Sequence, residues 1–136
     1  MKKTIFLALM LFVTIVFTGC KKNLDDRADF ISFYGVTETW TESGKILTKS
    51  VFFMPVYKSS VINNGLLLEN FANYGNGIVV EATVSGNTIT ISQQALPNSR
   101  TVVGTGSMDN NGTLTLTYTE IFGNISNSIS AIAKKK

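Results

Sequence analysis

Ile78-Val79-Val80-Glu81-Ala82-Thr83-Val84-Ser85-Gly86-Asn87-Thr88-Ile89-Thr90-Ile91-Ser92 alternates apolar and polar side chains, stops at a tight turn, and resumes. A period of two puts Ile78, Val80, Ala82 and Val84 on one face of a strand, and Ile89 and Ile91 on the same face of the next. Ser85-Gly86-Asn87 supplies residues that tolerate positive φ, as a tight hairpin requires. Glu81 falls on the opposite, outer phase. The segment predicts an antiparallel hairpin with one buried face.

The pattern recurs on both sides. Downstream, Thr101–Met108 and Thr113–Ile121 are joined by Asp109-Asn110-Asn111-Gly112. Leu114, Leu116 and Tyr118 share the inner phase there, and Thr113, Thr115, Thr117 and Thr119 the outer one. Gly123-Asn124 turns the chain into a last strand, Asn127–Ala133. Upstream, Val36, Glu38 and Trp40 alternate with Thr37, Thr39 and Thr41. Ile46–Val56 is β-prone throughout, and its Val51-Phe52-Phe53-Met54 run is apolar in both phases, which predicts cover on both sides. Pro55 should end pairing or mark an edge. Asn63-Asn64-Gly65 reads as a turn before Leu66–Phe71, and Asn73–Gly77 as another.

Eight candidate strands with short connections predict an all-β domain, an antiparallel up-and-down meander. Closing it wholly or partly into a barrel removes its exposed edges. Gly104 and Gly106 share one face of a strand. They suit a sharply coiled sheet, the simpler reading, or the close approach of a ligand.

The N-terminus has a different character. Lys2 and Lys3 precede a run from Thr4 to Phe17 that is apolar except at Thr4 and Thr14, followed by Thr18-Gly19-Cys20. A basic head, an apolar stretch and small residues before a cleavage point make an export signal. The run is about 21 Å long as a helix, short of a hydrocarbon core of about 30 Å. Phe17-Thr18-Gly19-Cys20 resembles the lipobox of bacterial lipoproteins, with a bulkier first residue than the usual Leu. The resemblance implies cleavage before Cys20, a diacylglyceryl thioether on its sulfur and palmitate-type acyl chains. Cys20 is the chain's sole cysteine, and an exported domain more often carries an even number. Lys21 after the cysteine resembles an outer-membrane sorting signal. Lys21-Lys22-Asn23-Leu24-Asp25-Asp26 fits a surface-export signal and an ordinary spacer equally.

The expected organisation is therefore a signal peptide at 1–19, a lipidated cysteine and linker at 20–29, a β-barrel at 30–133 and a basic tail at 134–136. Loss of residues 1–19 leaves 117 residues, one domain's worth. The twelve basic and nine acidic side chains become ten and nine once Lys2 and Lys3 leave. That balance offers no basic patch for nucleic acid. The terminal lysines suit contact with anionic lipid or glycan, or more simply a solvated tail. Histidine is absent and no cysteine is free, so the usual transition-metal ligands and the commonest general base are missing. No metal site or cofactor is expected. Asp109-Asn110-Asn111-Gly112 shares features with a calcium loop but lacks its later bidentate Glu, and a plain turn is the simpler reading.

Several stretches, in this order, carry a resemblance: Phe30-Ile31-Ser32-Phe33-Tyr34-Gly35-Val36-Thr37-Glu38-Thr39, Leu68-Glu69-Asn70-Phe71, Val80–Ile91, and Gly104-Thr105-Gly106 with Leu114–Tyr118. Together they resemble a group of small lipocalin-like lipoproteins common in Bacteroidetes. The resemblance implies a small antiparallel barrel or half-barrel and no particular activity. Members often carry cysteines where this chain has Trp40 and in the last strand; the resemblance therefore implies no disulfide here, with Trp40 filling that space.

Glu38, Glu69, Glu81 and Glu120 lie in strands, but nothing in the sequence pairs two of them across a cleft, as a glycosidase needs. Glu38 shares its phase with Val36 and Trp40 and should point inward, to orient a ligand or to satisfy an inward cation. Tyr34, Glu38 and Trp40 are the candidate ligand-facing residues. The aromatics Trp40, Phe52, Phe53, Tyr57, Phe71, Tyr74 and Phe122 fit a sugar-stacking or apolar pocket, or an ordinary core. The leading expectation is a non-catalytic binding module, lipid-anchored at the outer membrane, for a small apolar ligand, a glycan or an envelope protein. A structural accessory subunit of an outer-membrane complex is the alternative. An enzyme is the reading with least support.

Overall fold

The computed structural model describes residues 25–49 and 51–136. The expected signal segment, Cys20 and most of the expected linker lie outside them. Nine strands follow in chain order: β1 (Ser32–Glu42), β2 (Lys45–Thr48), β3 (Phe52–Lys58), β4 (Gly65–Glu69), β5 (Val79–Ser85), β6 (Thr88–Ala95), β7 (Thr101–Met108), β8 (Thr113–Phe122) and β9 (Ile125–Lys135). Two 3₁₀ turns accompany them, η1 (Asp26–Phe30) and η2 (Phe71–Asn73). Among the described residues no helix is long and apolar enough to cross a membrane.

Every pairing is antiparallel, and each strand from β3 to β8 pairs with the next. β9 returns to β1 over seven pairs, from Tyr34↔Lys135 to Trp40↔Ile129. The other flank of β1 takes β3 along its first half and β2 along its second. The result is a closed up-and-down barrel of eight staves with one extra strand, a lipocalin-like architecture. β2 and β3 together occupy the stave expected at Ile46–Val56. Thr39 pairs with Thr48 but Val36 with Phe52, so three steps on β1 face four on its partner. That one-residue slip is the signature of a bulge.

The inner phase fills the barrel. Val80, Ala82, Val84, Ile89, Ile91, Leu114, Leu116 and Tyr118 are all buried, as their alternation requires, and Ile78 is partly buried against them. Each fully buried aliphatic of this kind contributes about 1.5–3 kcal/mol. Gly86 turns the Ser85–Thr88 hairpin at φ 58. Gly104 lies between Ile91 and Tyr118, and Gly106 between Ile89 and Leu116. A Cβ at Gly104 would stand 2.5 Å from Tyr118 Cβ and 2.6 Å from the Thr117 carbonyl oxygen. Neighbouring strands take that space, as the coiled-sheet reading requires.

Two expectations need correction. The Val51–Met54 run is covered on one side only: Phe52 and Met54 are buried, while Val51 and Phe53 are exposed. The physical reason is that no described element crosses the outside of β3. Lys134, Lys135 and Lys136 are exposed but do not form a frayed tail. β9 includes Lys134 and Lys135, and the Lys136 amide donates to the Phe33 carbonyl at 2.9 Å.

The two ends of the barrel differ. At one end η1 inserts Phe30 into the core. It is held by Asp25, which accepts from Arg27 and pairs with Lys58 at 2.8 Å, and by Asp26, which accepts from the Gly86 amide. The Tyr34 hydroxyl donates to the Phe30 carbonyl at 2.9 Å. At the other end η2 lays Phe71 over Tyr118, ring centroids 4.7 Å apart. That end remains open above Phe71.

Candidate functional site

Stretches far apart in sequence meet at the open mouth. The inner phase of β1 brings Glu38 and then Trp40 up to the rim. The inner phase of β8 brings Glu120, two residues beyond Tyr118. Lys49 leaves β2 at the bulge, Tyr74 follows η2, and Arg100 immediately precedes β7. Trp40, Lys49, Ala72, Tyr74, Arg100, Glu120 and Ile129 line a basin of about 400 Å³.

Glu38 forms the charged floor below it, and is 1 % exposed. Its Oε1 accepts from the Tyr118 hydroxyl at 2.6 Å, and Lys49 Nζ stands 3.0 Å from its Oε2. The lysine contact is an ion pair outside hydrogen-bonding alignment, so Oε2 has no aligned donor among the described residues. Burial beside this carboxylate drives the Tyr118 phenol well above the ordinary tyrosine range, because an anion there would be desolvated next to another. Lys49 also donates to the Ala72 carbonyl at 2.9 Å.

Arg100 pairs with Glu120. Its guanidinium lies 5.1 Å from the Tyr74 ring centre and 4.9 Å from that of Phe122. Lys49 Nζ lies 5.5 Å from the same Tyr74 ring. Tyr74 thus sits between two cations, each attracted to its π face. Burial raises the Glu120 carboxyl; Lys49 opposes and Glu38 adds to the effect. Arg100 favours the ionised form, but burial prevails. The Tyr74 hydroxyl is buried and has no hydrogen-bond partner among the described residues. Buried polar groups are rarely left so, and such an exception calls for an explanation.

The backbone at the rim is strained. Asn70, Ala72 and Asn73 have φ of 53, 54 and 59. Asn tolerates this region; Ala does so at a cost of about 1–2 kcal/mol. The Asn70 side chain holds the turn, donating to the Phe53 carbonyl at 2.7 Å and accepting from the Gly75 amide at 2.8 Å. Backbone held in such conformations clusters at functional sites.

Of the three residues read as ligand-facing, all lie on the inner phase of β1, but they do not form one site. Six residues separate Tyr34 from Trp40, about 20 Å along a strand. Tyr34 is fully buried at the closed end with its hydroxyl engaged, so it faces core. Glu38 is the floor, and Trp40 lines the basin. Lys49 and Arg100 escaped sequence reading because they stand at strand ends, where alternation carries no information. Glu120 was legible as inward from its phase with Leu114, Leu116 and Tyr118.

A larger groove of about 590 Å³ lies beside η1 at the closed end. Its polar groups serve the fold. Asp109 Oδ1 accepts from the Asn111 and Thr113 amides at 2.9 and 2.8 Å, which makes Asp109–Gly112 a self-capped turn. Among the described residues no group of three His, Cys, Asp or Glu could hold a metal ion. Against known proteins, no family model matches the chain and no curated protein matches it either.

Proposed function

We propose that the mature chain begins at a lipid-modified Cys20, is held at the outer membrane, and binds a short glycan at the barrel mouth without catalysing a reaction. The basin of about 400 Å³ carries this reading. Its volume lies within the range of small-ligand sites, about 300–1,000 Å³. The aromatic face of Trp40 suits the apolar face of a sugar ring. Lys49, Arg100, Glu120 and the Tyr74 hydroxyl suit its hydroxyl groups. An apolar ligand enclosed as in a hollow barrel is less well supported, because core side chains occupy the interior. Each inward carboxylate already has a cationic partner, which fits positioning better than acid–base work. The lipobox resemblance and the lone cysteine support the anchor.

Trp40 is the only tryptophan and lines the basin, so its emission reports on occupancy. The lipidated protein in detergent is titrated with muropeptides and with lipopolysaccharide-core oligosaccharides. A saturable shift with at least one of them, weakened several-fold by Tyr74→Phe and unchanged by Glu81→Gln, is the expected result. A flat response throughout, together with stoichiometric recovery of one envelope protein from native membranes, would replace this reading with that of an accessory subunit.

A further inference from the structure

The outer wall of β1 and β3 groups several exposed apolar side chains. Phe33 is 51 % exposed, Val51 61 % and Phe53 53 %, and Tyr57 is also exposed. The Phe33 and Phe53 rings lie 6.3 Å apart. A groove of about 630 Å³ runs along them. The far wall, β6 to β8, exposes Thr90, Thr105, Ser107, Thr115 and Thr117 instead. A contiguous apolar patch on one wall marks an interaction surface, whereas scattered apolar residues do not.

Cations border this wall. Lys134 pairs with Gly35, on the same outer phase as Phe33. The Lys136 side chain lies across Gly35: a Cβ there would stand 2.6 Å from Lys136 Cε. The acidic groups at the margin are Glu69, beside Tyr57, and Asp25, which Arg27 and Lys58 take up. Exposed aromatics flanked by lysines suit a membrane interface, where rings sit at the headgroup level and ammonium groups reach anionic lipid.

The start of the described chain chooses the occupant. Asp25 lies 2.8 Å from Lys58 Nζ, at the closed end of β3. Five residue steps back to Cys20 span at most about 18 Å. An acyl chain on Cys20 is thereby leashed beside the patch, and a leash turns weak surface affinity into an intramolecular contact.

We infer that the β1–β3 wall is a membrane-docking face, with Phe33, Phe53 and Tyr57 at the acyl boundary and Lys134 and Lys136 over anionic headgroups. This rests on the proposed anchor at Cys20. The barrel axis then lies along the bilayer, because β3 runs from the mouth towards the closed end.

Depth measurement tests it on the full mature lipoprotein in vesicles of phosphatidylethanolamine and phosphatidylglycerol. Nitroxide labels are placed at Phe53→Cys on this wall or Thr105→Cys on the far wall, and intact mass verifies acylation of Cys20. The label at 53 should favour oxygen over a water-soluble relaxant several-fold more than the label at 105. Adding Lys134→Glu and Lys136→Glu should reduce that ratio on these vesicles but not on phosphatidylcholine alone. In an acylated protein, equal wetness of the two labels overturns the docking face while leaving the anchor intact. Dipolar coupling between labels at 53, showing a second copy on the wall, overturns it too. A mature chain without acyl groups overturns the anchor, and the docking face with it.

Discussion

Tyr118→Phe removes one atom and tests how the barrel carries a buried charge. The Tyr118 hydroxyl donates to Glu38 Oε1 at 2.6 Å, between residues 2 % and 1 % exposed. A hydrogen bond to a charged group contributes about 1.5–3 kcal/mol, and its loss leaves the desolvation cost of the carboxylate in place. The substitution keeps the ring and its 4.7 Å contact with Phe71, so packing changes little. Tyr34→Phe is the matched control. Its hydroxyl donates at 2.9 Å to the neutral Phe30 carbonyl, a bond worth about 1 kcal/mol. Urea unfolding followed by Trp40 emission measures both. The expected losses are about 2–3 kcal/mol for Tyr118→Phe and about 1 kcal/mol for Tyr34→Phe, with m unchanged. Equal losses, or a loss at Tyr118 below about 0.5 kcal/mol, would refute the reasoning, since the bond would then be no stronger than a neutral one.

Further outcomes follow from the same geometry. Gly104→Ala forces a Cβ against Tyr118 backbone and side chain, and should lower stability by about 1–3 kcal/mol or more by overpacking. Gly86→Ala, in open space at φ 58, should lower it by only about 1–2 kcal/mol through backbone strain; calorimetry ranks the two. Asp25 is held well below the ordinary carboxylate range, first by hydrogen bonds from Arg27 and then by Lys58. A lowered folded pKa gives stability that is present above the ordinary value of 3.8 and lost as pH falls further. Asp25→Asn should therefore cost stability at pH 7 and progressively less in acid, read by paired denaturation curves. Tyr34 is pushed up to about 12 by burial and by Asp29, and Tyr118 further still. A raised folded pKa gives stability that is intact below about pH 10 and lost as pH climbs through about 12. Phenolate absorbance from these two tyrosines should appear together with loss of β-sheet circular dichroism, not before it.

The barrel was legible because its staves obey one rule. Val80 to Val84, Ile89 to Ile91 and Leu114 to Tyr118 alternate without a break, and a period of two fixes which side is wet. Glu38 inward and Glu81 outward followed from phase alone. Closure was not legible, because the β1–β9 pairing joins the ends of the domain and depends on summed coil and stagger. Phe53 misled for a related reason: an apolar residue on the outer phase reads as buried, and only the topology shows nothing crossing it. The 3₁₀ turns η1 and η2 are too short to leave a periodic trace. The mouth was half legible. Trp40, Glu38 and Glu120 sit on readable phases, but Lys49, Tyr74 and Arg100 come from strand ends and turns. Only the meander, by delivering alternate strand ends to the same rim, brings them together.

The functional account depends most on the state of Cys20, which top-down mass spectrometry of the protein extracted from native membranes reads directly. The extracted chain should start at Cys20 and carry diacylglyceryl mass on that first residue. A chain retaining Met1, or one starting elsewhere with an unmodified thiol, would contradict it.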